Sequence, residues 1–285
     1  MMMELALTDG KVSVTTMTET NGDMTEKKVN TKTEMIHLTY EGNFQLECDS
    51  KILCCEVIED DGVVLQLDRT TMHPQGGGQP TDLGDITSEG TVVKISKVTI
   101  DHSTGIVSHS GTVSEGFPEV GASVHVSVDS CQRQILSECH TAGHVVDAAM
   151  ARCDRILPPT KGYHFLDGPY VEYKGTIPLE ERAELVKNLQ KAFQDLVDDD
   201  IETKIETMTK QDADELCNQV QNNFNLDEYG DDSIRIVTVA GWACPCGGTH
   251  VRSTKDLKQR QWGVVGIKSK KGVVRVKYAQ NVQQI

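Results

Sequence analysis

The sequence predicts an α+β protein, with a small N-terminal β-barrel followed by an α/β two-layer domain that carries a zinc site. Three observations point there. About six short, β-branched runs fall between residues 35 and 128, spaced as in small barrels. At residue 129 the apolar spacing becomes helical. Beyond that point, histidines and a cysteine recur as two pairs, each four residues apart. The expected division is a loosely attached tail over 1–34, the barrel over 35–128 and the zinc-bearing domain over 129–285.

Residues 1–34 are rich in Thr, Met, Glu and Lys and have little periodicity. The runs "SKILCCEVIE", "GVVLQLDRT", "EGTVVKISKVTI", "HSGTV" and "ASVHVSV" read as strands, with Gly, Asp and Ser between them. "DSCQRQILSECHTAGHVVDAAMARC" then reads as a helix, with Ile135, Cys139, Val146 and Ala149 on its apolar positions and Pro158 and Pro159 beyond its end. Thr176 and Pro178, with Glu180 and Glu181 in the first turn, announce a second helix. Its apolar stripe is Leu179, Ala183, Val186, Leu189, Phe193 and Leu196. A strand over "IETKIETMT", a short helix over 210–217 and three C-terminal strands complete a sheet overlaid by helices.

Composition narrows the function classes. Of 285 residues, 38 % are hydrophobic and 25 % charged, which is globular, and aromatics at 5 % leave the cores aliphatic. No apolar run approaches the ~20 residues of a membrane span, and the N-terminus lacks the pattern of a signal peptide. The expectation is a cytoplasmic protein with no membrane partner. There, metal binding outranks disulfides as the use for nine cysteines; Cys54 and Cys55, in a strand-like run, receive no role. A net charge of −15 argues against a general nucleic-acid coater. Yet from Arg252 onward nine Lys or Arg stand against one acid. This block is either the solvated face of a terminal sheet or a local surface for a polyanion, in which Lys268, Lys270, Lys271 and Arg275 make the contacts.

The metal ligands follow from spacing. "HTAGH" puts His140 and His144 four apart on one helix face. "CPCGGTH" offers Cys246 and His250 at the same spacing, with Gly247 and Gly248 freeing the backbone to turn them toward one point. Three imidazoles and one thiolate suit a single Zn²⁺. Cys244 is a rival ligand, which Pro245 is expected to turn away from Cys246. Thr141 follows His140 where a metalloprotease helix would have its general-base Glu, so that chemistry is excluded. "HPQGGGQPTDLG" has Gln79 and Pro80 after its glycines and not the Lys-Ser/Thr of a P-loop, so no nucleotide is expected. That loop is either a tight hairpin or a backbone-rich segment pressing on a ligand or the neighbouring domain.

"GGGQPTDLG", "HTAGH" and "CGGTHV", in that order, resemble the editing domain of alanyl-tRNA synthetase and its free-standing form, the alanyl-tRNA editing proteins of AlaX type. The resemblance runs from about residue 63 to the end, with "VSHSGTV", "VDSCQRQ" and Lys161-Gly162 also fitting. With no room for an adenylation domain and no recognisable class II synthetase core upstream, the trans-acting form is expected. The resemblance implies a hydrolase that deacylates mischarged Ser-tRNA(Ala), and Gly-tRNA(Ala), leaving Ala-tRNA(Ala) intact. It assigns one zinc per chain to His140, His144, Cys246 and His250, places the glycine motif on Gly76, Gly77, Gly78, Gln79 and Asp82, and makes Thr160 the reader of the serine hydroxyl. His73 stands where the family usually has an aromatic, and "PPTKGYHFLDGPYVEY" is longer and more aromatic than its family counterpart. The competing class is a zinc-stabilised RNA- or protein-binding module without chemistry.

Overall fold

Alternating burial along the first long strands produces a closed barrel. The computed structural model describes residues 3–8, 11–16, 31–219, 224–225 and 233–283. They fall into two units, one of Met1–His37, Gln45–Gln75 and Thr81–Arg133, the other of Leu38–Phe44, Gly76–Pro80 and Gln134–Ile285.

The first unit contains β1 (Met3–Thr8), β2 (Lys11–Thr16), β3 (Glu34–Met35), β4 (Glu47–Val57), β5 (Gly62–Leu67), β6 (Arg69–Thr70), β7 (Gly84–Ser88), β8 (Thr91–Asp101), β9 (Ile106–Glu115) and β10 (Ser123–Val128). The antiparallel order β4-β10-β7-β8-β9-β5 closes by pairing β5 with β4, giving a six-stranded barrel. Residues at i, i+2 and i+4 share a strand face. In β5 this alternation buries Val63, Leu65 and Leu67, which join Ile52, Ile86, Val93 and Val126 in an aliphatic core. Register shifts in β4 and β8 bend those strands around the closure. Asp82 is fully buried in this unit, bonded to the Arg133 guanidinium and accepting the His73 N–H at 2.6 Å. The short β3 and β6 pair in parallel. β1 and β2 form a hairpin whose second strand pairs with β4. The rest of the expected loose tail, residues 1–2, 9–10 and 17–30, lies outside the described residues.

The second unit contains α1 (Tyr40–Asn43), α2 (Ser130–Arg152), β11 (Pro159–Tyr163), β12 (Tyr170–Lys174), α3 (Leu179–Asp198), β13 (Lys204–Thr209), α4 (Lys210–Cys217), β14 (Ser233–Val239), β15 (Trp242–Pro245), β16 (Gly263–Lys270) and β17 (Val273–Ala279). Its sheets run β11-β12-β17-β16 and β13-β14-β15. Helix α2 is buried at every residue from 136 to 150. Such a helix is surrounded by protein and shows no single apolar stripe. It shares one core with α3, β12, β14 and β17, built from Val145, Leu189, Phe193, Val237, Val274 and Val276 among others. The α3 stripe differs from the expected one. Leu185, Leu189, Phe193 and Leu196 are buried, while Leu179 is 75 % exposed and Ala183 is also exposed, because the first turn extends past the core. The β11–β12 hairpin was not expected from "PPTKGYHFLDGPYVEY", where three prolines and two glycines interrupt the β pattern.

Among the described residues no helix is long and apolar enough to cross a membrane. None of the nine cysteines, all among the described residues, is in a disulfide.

Candidate metal centre

Helix α2 supplies the first pair of donors. His140 and His144 lie one turn apart, their rings stacked with centroids 5.2 Å apart. The segment leaving β15 supplies Cys246 and His250. One donor atom from each of the four lies within 4.8 Å of the others. Cys246 Sγ is 3.5 Å from His140 Nε2 and 3.4 Å from His250 Nε2. A tetrahedron with bonds of ~2.0–2.1 Å to nitrogen and ~2.3 Å to sulfur has nitrogen–sulfur edges of about 3.5 Å. The donor set and its spacing therefore fit a metal ion of that kind.

Each imidazole is held from behind. With Nε2 turned toward the common point, Nδ1 carries the proton. His140 Nδ1 donates to Gln79 Oε1 at 2.7 Å, His250 Nδ1 to Thr141 Oγ1 at 3.2 Å, and His144 Nδ1 faces Cys244 Sγ at 3.4 Å. Such partners fix ring orientation and raise ligand basicity. Gln79 is itself fixed, its Oε1 accepting the Thr249 N–H and its Nε2 donating to Thr249 Oγ1. Burial pushes His144 down to about 4, helped by the charge of Arg235. A neutral imidazole is the form that binds metal. Burial pushes the Cys246 thiol up, against the opposing influence of Arg235 and the Gly248 N–H; a cation among the donors would favour the thiolate.

Gly248 is required by proximity. A Cβ there would lie 2.2 Å from the His140 ring, whereas Gly247 has open space around it. Neither is among the positive-φ glycines, so close approach and not an unusual turn explains the second of the pair. The expectation for Cys244 is corrected. It lines the same cavity as Cys246, because residues two apart along an extended segment share a face.

Three of the donors, His140, His144 and Cys246, border a cavity of about 560 Å³. Its wall includes Gly77, Asp147, Thr160, His164, Arg235 and Trp242. Asp147 is the one carboxylate among the described lining residues. It accepts the Tyr173 hydroxyl at 2.6 Å, and burial pushes it up to about 7. His164 stacks on His140 with centroids 4.1 Å apart, and its Nδ1 meets the Tyr278 hydroxyl at 2.6 Å. Burial pushes it down to about 3, so it is neutral. Arg235 donates through Nε to the Leu38 carbonyl at 2.7 Å and through Nη1 to the Cys246 carbonyl. Arg235 Nη2 and Trp242 Nε1 are buried donors without a partner among the described residues.

The other expected site residues are placed unevenly. Gly77 lines the cavity with φ +56, and Gly78, with φ +79, packs against the Gly162 backbone and accepts the His164 N–H at 2.9 Å. Gln79 acts behind a ligand. Asp82 is not brought to the cavity, since its carboxylate is taken up by Arg133 and the His73 N–H within the barrel unit. Thr160 lines the cavity but is exposed, and its hydroxyl donates to the Glu172 carboxylate at 3.0 Å. Lys268 and Lys270 project from β16, and Lys271, with φ +53, starts the turn to β17; all three are exposed. Arg275 is partnered, with Nε 2.9 Å from Glu172 and its guanidinium 4.7 Å over the Tyr170 ring. Sequence reasoning did not find Asp147, His164 or Arg235. Asp147 sits three residues after His144, which was a usable signal; His164, just after β11, and Arg235, on β14, belong to segments that carry no ligand motif.

The geometry is that of a donor cluster that could hold a metal ion, beside a cavity with a few polar groups in its wall, and the comparisons give its kinship. Residues 234–277 match the family described as the threonyl and alanyl tRNA synthetase second additional domain. Residues 5–132, which include the barrel, match the family described as tRNA synthetases class II (A). The chain is 30 % identical over 222 residues to the alanyl-tRNA editing protein AlaX-L of Pyrococcus horikoshii, spanning 76 % of this chain and 51 % of that protein. It is 31 % identical over 235 residues to the alanine–tRNA ligase of Methanobrevibacter smithii, and 29 % identical over 215 residues to that of Kineococcus radiotolerans. Those matches span 77 % and 74 % of this chain but only 24 % and 23 % of the ligases, so the chain covers about half or less of the curated relatives it matches. The chain is a relative of the AlaX-type alanyl-tRNA editing proteins.

Proposed function

We propose that this chain is a trans-editing hydrolase that cleaves the aminoacyl ester of mischarged Ser-tRNA(Ala), and of Gly-tRNA(Ala), with one Zn²⁺ held by His140, His144, Cys246 and His250. The observation that carries the reading is the convergence of these four donors beside a cavity whose wall keeps unpartnered buried donors. Buried donors are almost always satisfied, so Arg235 Nη2 and Trp242 Nε1 favour a polar ligand there.

The need for such an activity is physical. Serine differs from alanine by a hydroxyl, and a small apolar pocket cannot strongly reject an isostere with an added hydroxyl. Glycine lacks a methyl, worth only ~1–3 kcal/mol. A second, hydrolytic site that hydrogen-bonds the serine hydroxyl discriminates better, since its polar groups go unpaired when alanine enters.

When bound, zinc supplies a Lewis acid for the ester carbonyl or for water. The chain's own residues do the rest. Gln79, Thr141 and Cys244 hold the imidazoles, Asp147 presents a carboxylate to the substrate's α-ammonium group, and Arg235 and Trp242 offer donors to its oxygens. Thr160, its proton committed to Glu172, keeps an acceptor at the rim for the serine hydroxyl.

Four protein donors also make the closed ligand set typical of structural zinc, which favours the alternative of a non-catalytic module. One experiment separates the two. Purified protein with one equivalent of zinc should deacylate Ser-tRNA(Ala) and spare Ala-tRNA(Ala), lose activity with a chelator and regain it with Zn²⁺. Failure of fully metallated protein to hydrolyse any mischarged tRNA(Ala) sinks the editing reading and leaves the binding module.

A further inference from the structure

The outer face of the β11-β12-β17-β16 sheet carries a second pattern. Directly opposed residues on antiparallel strands share a face. The register aligns Lys161, Glu172, Arg275 and Lys268 in one row, and Tyr163, Tyr170 and Lys277 in the next. The residues between them, Val171, Tyr173, Val274 and Val276, point into the core.

On this face the aromatic rings form a ladder. Tyr163 lies between Phe165, at 4.7 Å and 17°, and Tyr170, at 5.2 Å and 19°. The Arg275 guanidinium caps the Tyr170 end at 4.7 Å, and Lys161 Nζ lies 5.9 Å from the Tyr163 centroid. Glu172 is the one acid in these two rows, and it is paired with Arg275. Phe165 ends the ladder next to Leu166, which is 45 % exposed. Cross-strand pairing alone accounts for Tyr163 on Tyr170. It does not account for a third ring extending the stack, or for Lys161, Lys268, Lys270 and Lys277 around it in a chain of net charge −15.

We infer that this face is a stacking platform for unpaired RNA, and that it receives the single-stranded 3′ end of the tRNA substrate. The inference rests on the editing reading for its occupant. Its chemistry is that of single-strand binders, in which cations track the phosphates while aromatic rings stack on bases. Bases locked in a duplex have no free π-face to offer, so the ladder selects unpaired nucleotides. Position supports the choice. Thr160, Lys161 and Gly162 of β11 also line the metal-side cavity, so one strand carries both the platform's edge and the cavity wall.

The test uses the full-length protein and uncharged RNA. A fluorescent acceptor stem-loop with a four-nucleotide unpaired 3′ tail is compared, by anisotropy, with the same stem made blunt. Wild type should bind the tailed RNA about ten-fold tighter or more. Phe165→Leu, which keeps apolar bulk without a π-face, should lose most of that preference with blunt binding unchanged. Lys268→Glu with Lys270→Glu should weaken both RNAs and reduce the salt slope by about two phosphates' worth. Should Phe165→Leu fail to fold by circular dichroism, Arg275→Gln must weaken the tailed RNA more than the blunt one. Equal wild-type affinity for the two RNAs, a preference that survives these variants, or equal competition by heparin overturns the platform. Hydrolysis of Ser-tRNA(Ala) without tail preference refutes the platform alone; tail preference without hydrolysis refutes the editing reading alone.

Discussion

Gln79 and His140, 61 residues apart in sequence, are joined by a 2.7 Å hydrogen bond from His140 Nδ1 to Gln79 Oε1. The glycine loop therefore reaches the donor cluster through a side chain. Removing a partner behind a metal ligand typically costs 10–100-fold in metal affinity. Gln79→Leu should lose affinity for Zn²⁺ in that range by competition with a chromophoric chelator, and Gln79→Glu, which keeps the acceptor, should lose much less. Equal affinities for the two variants would show that the bond does not support His140.

In the proposed zinc site the two thiols have different parts, Cys246 as a ligand and Cys244 as the support of one. Cys246→Ala removes the thiolate that meets two imidazoles, so bound zinc should fall below half an equivalent and deacylation of Ser-tRNA(Ala) should vanish. Cys244→Ala leaves His144 Nδ1 without its sulfur neighbour, and should retain zinc with an affinity lowered up to about ten-fold. Metal analysis of the dialysed variants decides; loss of zinc on changing Cys244 alone would make it the true ligand.

The four donors were legible in the sequence because helical spacing and a repeated offset are local properties. The barrel and the three longer helices were legible for the same reason, since periodicity in β5 or α3 is written residue by residue. Other parts were not. Asp82 sits in a conspicuous motif, yet its carboxylate is spent on Arg133, a pairing 51 positions away that spacing cannot announce. Arg235 joins the cavity wall through strand register, which is set by pairing partners, and His164 through a backbone bond to Gly78, far away in sequence. The stripe of α3 was misplaced at Leu179 because periodicity does not say where the core ends.

Adjacent glycines in the loop should behave differently. Gly78 has φ +79, and a Cβ there would meet the Gly162 carbonyl oxygen at 2.3 Å. Gly77 has φ +56 but nothing within 4 Å. Gly77→Ala should cost about 1 kcal/mol of stability and keep zinc. Gly78→Ala must displace β11 or the loop carrying Gln79, so it should lower both metal affinity and deacylation. Thermal melts and metal titration of the pair test this; identical behaviour would mean that the left-handed backbone, and not the Gly162 contact, sets the requirement.

His109 gives the barrel unit a dependence on pH. Its Nδ1 faces the Leu65 carbonyl at 3.2 Å and its Nε2 the Thr70 hydroxyl at 2.9 Å. Burial pushes it down to about 4 from an ordinary 6.5. Because the folded value lies below the unfolded one, the neutral ring's contribution is complete above pH 6.5 and is lost as pH falls toward 4. That gap corresponds to about 3 kcal/mol. His109→Gln should be less stable at pH 7.5 and show a shallower loss between pH 6.5 and 4. Parallel urea-midpoint curves for the two proteins would remove His109 as the cause.

Asp147 is the sharpest test of what the cavity holds. Tyr173 donates to its Oδ1 at 2.6 Å, which fixes the carboxylate and leaves Oδ2 for a ligand. Without a ligand, burial pushes the group up to about 7. In the proposed reading an entering α-ammonium group would supply the opposite charge that holds it ionised. A hydrogen bond to a charged group contributes about 1.5–3 kcal/mol, or roughly 10–100-fold. Asp147→Asn preserves shape and still accepts from Tyr173, so folding and zinc content should be unchanged. KM for Ser-tRNA(Ala) should rise by that factor. N-acetyl-Ser-tRNA(Ala), which has no cation to offer, should be a poor substrate for wild type and be cleaved equally well by the variant. Comparing kcat/KM for both esters in both proteins isolates the contact, because a merely structural defect would slow the two esters alike. Should the variant lose both activities in equal measure, Asp147 supports the cavity wall through Tyr173 and the α-amino group is read elsewhere.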